Sequence, residues 1–133
     1  ARIDFTLTLP GMFELLNIQR LADDLGVDIL AKVVFSFTPD IILSPLALPK
    51  DILHPWLDEH LASNILSNSL RDMLEQLKTR PTFQEQWPNE WASGLKRGKD
   101  RILKLEQIRT QSVTMTDILS KRPQVLEWWM KIA

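Results

Sequence analysis

The chain has 133 residues, 44% hydrophobic and 25% charged, the size and composition of about one globular domain and not of a disordered segment. Sixteen basic and seventeen acidic side chains leave a net charge of −1, so no global basic field draws it to nucleic acid or anionic lipid. Cysteine is absent, which excludes disulfides, thiolate zinc sites, iron–sulfur ligation and cysteine nucleophiles from this stretch.

Residues 3–9 alternate between apolar and polar, the period-two pattern of a half-buried strand, and Pro10 and Gly11 end it. Phe13–Leu25 places Phe13, Leu16, Leu21 and Leu25 near helical spacing, with Gly26 where a helix C-cap belongs. Asp28–Phe37 is rich in β-branched and aromatic residues and predicts a second strand, closed by Thr38, Pro39 and Asp40. Strand, helix and strand together have the size of one parallel βαβ unit with a right-handed crossover.

After a proline-punctuated connector over 41–49 the pattern becomes helical. Helices are predicted over Asp51–Ser63, with Pro55 in or near the first turn, and over Ile65–Lys78. Arg80–Pro88 reads as a loop and Asn89–Thr110 as a long charged helix marked by Trp91, Leu95, Ile102, Leu105 and Ile108. A short helix over Thr114–Lys121, capped by Thr114 or Thr116, precedes a final one over Pro123–Ile132. The fold class is therefore α/β: a βαβ segment with its exit loop over 1–49, then a helical region over 50–133. No apolar tract reaches the ~20 residues of a membrane helix.

Two strands make no stable sheet alone, so the chain either pairs with other chains or ends a longer αβ protein. Its opening at Ala1 without methionine, already within the strand pattern, fits an internal fragment. Parity sets Ile3, Phe5, Leu7 and Leu9 on one face, opposite Arg2, Asp4, Thr6 and Thr8. In the second strand Ala31, Val33, Phe35 and Phe37 oppose Lys32, Val34 and Ser36. The polar face either lines a cleft for a polar ligand, which in parallel αβ folds gathers at the carboxyl ends near Thr8 and Ser36, or it meets solvent.

No complete active site can be written. His54 and His60 lie six apart and point to different helix faces, too few and too divergent for a histidine metal site. The neighbouring carboxylates Asp23-Asp24 and Asp58-Glu59 splay by ~100° and form no acid–base pair. The cluster from Lys96 to Arg101 with Lys104 reads as a solvated helix face, and the isolated glycines form no phosphate loop. Trp128 and Trp129 diverge on a helix, so one ring packs and the other is left exposed or docks on a partner.

Taken in order, these segments resemble the C-terminal part of a radical S-adenosylmethionine (SAM) enzyme with a twitch domain. Residues 3–9 with the stretch from Glu14 to Asp28 resemble a late strand and helix of that family's partial TIM barrel. Leu43–Pro49 resembles the exit after its sixth strand, and Gly98–Arg109 followed by Ser112–Trp129 resembles its closing helices. The sequence departs from the family in lacking the Cys-x-x-x-Cys-x-x-Cys loop, any auxiliary-cluster ligands and the asparagine that often follows the late strand, where Gly11, Met12 and Phe13 stand instead.

The resemblance implies a cytoplasmic parent whose [4Fe–4S] cluster cleaves SAM to a 5′-deoxyadenosyl radical, acting on a peptide or small molecule. This chain alone would bind no cofactor and be inactive, with the rest of the barrel as its partner and neither nucleic acid nor membrane involved. Thr6, Thr8, Lys32 and Ser36 would line the SAM and substrate cleft, Lys32 facing a carboxylate or phosphate. The alternative is a stand-alone helical interaction module docking through its C-terminal tryptophans. A fragment should leave Phe5, Leu7, Val33 and Phe35 without full cover.

Overall fold

The computed structural model describes residues 1–33, 42–109 and 113–132. The chain is mostly helical, with one two-stranded parallel sheet. Strand β1 (Arg2–Leu7) pairs with β2 (Asp28–Val33) in the register Arg2↔Asp28 through Leu7↔Val33. Between them a 3₁₀ turn, Pro10–Glu14, leads into α1 (Leu15–Leu25). The first strand ends two residues earlier than its alternation predicts, because Leu9 has already turned to helical dihedrals ahead of Pro10. The second was expected to reach Phe37; residues 34–41, including Ser36 and Phe35, lie outside the described residues.

Gly26 ends α1 as its position predicts. It adopts φ +65°, a left-handed conformation that costs a side-chain-bearing residue ~1–2 kcal/mol. The Val27 N–H reaches back to the Ala22 carbonyl at 3.0 Å and the Gly26 N–H to Asp23 at 3.2 Å, the paired bonds of a Schellman ending. This aims the chain into β2 parallel to β1.

The helical region begins with α2 (Lys50–Leu61) and α3 (Asn68–Thr79). Pro55 is the sixth residue of α2, one residue deeper than the predicted start at Asp51 would place it, so no N–H meets the Asp51 carbonyl there. The segment read as a loop contains α4 (Phe83–Gln86), started by a capping box. Thr82 Oγ1 accepts from the Glu85 N–H at 3.3 Å, and the Glu85 carboxylate accepts from the Thr82 N–H at 3.1 Å. The long helix α5 spans Trp91–Ile108. Of its expected apolar marks Leu95 is buried, whereas Leu105 and Ile108 are exposed. A second capping box, between Thr114 and Asp117, opens α6 (Met115–Leu119) and selects Thr114 as the cap, and α7 (Pro123–Lys131) follows.

Helices α1 and α3 both pack on β2, and α6 packs on the 3₁₀ turn after β1. Gln19 on α1 ties the first two together, its buried Oε1 accepting from the Ser67 N–H at 2.9 Å. One cluster of buried side chains runs from Leu7 through Trp56 and Phe83 to Trp129, across the boundary at 49–50. Of the four residues expected to lack full cover, Leu7 is fully buried by the chain's own helices, Phe5 and Val33 keep part of their surface open, and Phe35 lies outside the described residues. The expectation that one C-terminal tryptophan stays outside is also corrected, for Trp128 and Trp129 are 8% and 0% exposed.

Gly26→Ala is expected to lower unfolding stability by about 1–2 kcal/mol in urea denaturation, from the backbone alone, because a Cβ there meets nothing within 4 Å. Gly26→Asn, which tolerates the left-handed region better, should lose clearly less.

Candidate functional site

The ribbon buries one face and opens the other. Arg2, Asp4 and Thr6 on β1 stand beside Asp28, Leu30 and Lys32 on β2, and all six are exposed. Thr6 and Lys32 are direct register partners, which brings together two of the residues expected to line a cleft. Arg2 and Asp4 form an ion pair at 3.1 Å whose side chains are both largely in water, a pair of small energetic weight. No further strand flanks either edge of the ribbon among the described residues.

Thr8 has a different task. Its Oγ1 accepts the Gly11 N–H at 3.0 Å, and its carbonyl accepts the Met12 N–H at 3.0 Å, so it anchors the 3₁₀ turn that leaves β1. Ser36 lies outside the described residues.

A second polar concavity was not legible in the sequence. The 3₁₀ turn and start of α1, the end of α2, and the α6–α7 junction enclose a cavity of about 250 Å³. Its apolar wall includes Phe13, Leu16 and Trp56; its polar wall includes Arg20, His60, Lys121 and Arg122. The His60 ring stacks on Trp56 with centroids 4.0 Å apart, and its Nδ1 lies 2.9 Å from the Trp56 carbonyl oxygen, an arrangement that assigns the proton to Nδ1. Arg122 Nη1 pairs with Glu59 at 2.8 Å, while its Nε is buried with no hydrogen-bond partner. Lys121 pairs with Glu14 at 3.3 Å, and Asn17 donates to the same carboxylate at 2.9 Å. Asn17 first and Lys121 second hold the Glu14 carboxyl below its usual range, so it stays ionised. The Lys121-Arg122-Pro123 run was the only sequence signal here, because the other walls come from residues 12–20, 56 and 60, far upstream in the chain.

The basic stretch on α5 divides by depth. Lys96, Arg97 and Arg101 are exposed, whereas Lys99 turns inward and donates to the carbonyls of Trp129 at 2.7 Å and Ile132 at 3.2 Å. Its ammonium also lies 5.2 Å from the Trp129 ring centroid. Burial pushes this ammonium below the usual lysine range. It serves as a cap for the C-terminus of α7.

Among the described residues no group of three or more His, Asp or Glu side chains is placed to hold a metal ion, and no helix is long and apolar enough to cross a membrane. No protein-family model, no curated protein and no solved structure matches the chain.

Thr8→Ala is expected to destabilise by about 1 kcal/mol through loss of its cap-like bond, whereas Thr6→Ala should stay within about 0.5 kcal/mol, both read from denaturant midpoints. His54 carries a pH dependence. Burial first, then the charges of Lys50 and Lys78, push its imidazole below the usual range, against the opposite pull of Asp58 and Glu85. The unfolded chain therefore binds this proton more readily, so stability falls as pH drops through the usual histidine range of about 6.5 and below. The denaturation midpoint should decline less between about pH 7.5 and 5.5 in His54→Gln than in the parent chain.

Proposed function

We propose that this chain forms the late part of a radical SAM enzyme's partial barrel, where β1 and β2 continue a parallel sheet built by earlier strands. The observation that carries this reading is the one-sidedness of the ribbon. Its strands are parallel, their covering helices lie on the apolar face, and the polar face and both edges are left open among the described residues. A strand lining a wide, partly open barrel would have this character, with helices outside and a polar cleft within, unlike a small closed barrel, whose interior is filled by apolar side chains. In that setting the Thr6 hydroxyl and Lys32 ammonium meet a polar substrate or the carboxylate of SAM, and Thr8 sets the turn at the carboxyl end of the strand.

The donor set of this chain does not fit a [4Fe–4S] cluster, because it has no cysteine. Cluster ligation and radical formation therefore fall to another part of the parent, and these residues bind and orient. A cytoplasmic setting goes with such a parent.

A second reading, a self-contained helical module, draws support from the completeness of the core, with Leu7 buried by the chain's own helices. Its docking surface cannot be the Trp128-Trp129 pair, since both rings are inside.

The coding sequence upstream of the Ala1 codon decides between them. It is expected to continue in frame for about one further domain and to contain Cys-x-x-x-Cys-x-x-Cys. An in-frame start codon at or just before Ala1, with no such triplet, overturns the barrel reading and leaves the helical module.

A further inference from the structure

The cavity between the 3₁₀ turn, the end of α2 and the α6–α7 junction has an excess of positive groups over the carboxylates around it. Arg20, Lys121 and Arg122 line it, and only Glu14 and Glu59 answer them, each engaged by one cation. Arg20 is exposed and has no ion-pair partner among the described residues. The Arg122 Nε–H is buried without an acceptor, a state that costs a charged donor more than a neutral one. Two guanidinium groups lining one pocket, one with an unmet donor and the other without an ion-pair partner among the described residues, suit a planar or tetrahedral oxyanion, which accepts several N–H bonds at once.

The opposite wall narrows the choice of ligand. Phe13 and Leu16, both part-exposed, present apolar surface beside the cations, while His60 stacks on the buried Trp56 ring behind them. At about 250 Å³ the cavity lies just below the ~300–1,000 Å³ of sites for drug-sized molecules, so its occupant is smaller.

We propose that this cavity binds a small organic oxyanion, a carboxylate or phosphate ester on a single apolar ring or short chain. The oxyanion lies between Arg20 and Arg122, and the apolar body lies on Phe13 and Leu16. The pocket shares no residue with the open face of the ribbon, so its fate is independent of the barrel reading.

Isothermal titration calorimetry of the full chain with benzoate, phenyl phosphate and inorganic phosphate tests this. At least one of the two ring-bearing ligands should bind saturably, and the tighter of them identifies the oxyanion. Arg20→Gln, at an exposed position outside the core, should weaken that ligand about tenfold, the loss of one charge-assisted bond. Lys96→Gln on the exposed face of α5 should leave it unchanged. Absence of saturable binding by both ring-bearing ligands overturns the proposal, as does an undiminished affinity in Arg20→Gln or an equal loss in Lys96→Gln. Inorganic phosphate binding as tightly as phenyl phosphate overturns the part assigned to the apolar wall.

Discussion

Parallel pairing of β1 with β2 imposes a return path, because a chain leaving the carboxyl end of one strand must travel back to the amino end of the next. Here the 3₁₀ turn and α1 make that journey, and the geometry at either end is set by single residues. Thr8 holds the exit through its side chain and carbonyl, and Gly26 ends the helix in a conformation few other residues accept. The apolar side of the ribbon can then be covered by α1 and α3, which Gln19 joins through the Ser67 backbone. The rest of the helical region extends this core, so its packing depends on the handover from β1 to β2.

The helical region shows how short helices persist among long-range contacts. Both α4 and α6 are too short to be stable by themselves and begin with reciprocal capping boxes. Helix α7 ends on a cation borrowed from α5: Lys99 satisfies two terminal carbonyls and covers the Trp129 ring. That charge is partly buried, at the expense of its proton affinity, and its carbonyl partners replace much of the lost hydration. The Trp91 indole fixes the start of α5 in the same way, donating to the Ala47 carbonyl at 3.1 Å.

The two concavities differ in what they ask of the rest of the molecule. The open face of the ribbon has polar side chains in register but no opposite wall, so as a cleft it requires further strands. The pocket beside Trp56 is open on one side and has walls from three separate segments of this chain. Two of its three cations, Lys121 and Arg122, are each paired with a glutamate, which reduces the mutual repulsion of the basic side chains while Arg20 is left without an ion-pair partner among the described residues.

Much of this was legible in the sequence where the determining interaction is local. Period-two alternation placed Ile3, Phe5 and Leu7 on the covered side, the Gly26 ending was visible from one residue, and the absence of cysteine settled which ligands the chain cannot supply. The Thr82–Glu85 box was visible too, as a threonine three residues before a glutamate, although the segment reads as a loop on composition. Tertiary structure alone decided that both Trp128 and Trp129 are inside, that Ile108 continues the apolar pattern of α5 into solvent, and that Arg20, Lys121 and Arg122 line one pocket. Caps and strand parity act over a few residues and leave a mark in the order of the letters. Burial at a helix end and convergence of charges depend on which distant segments arrive beside them, and only the folded chain brings those segments together.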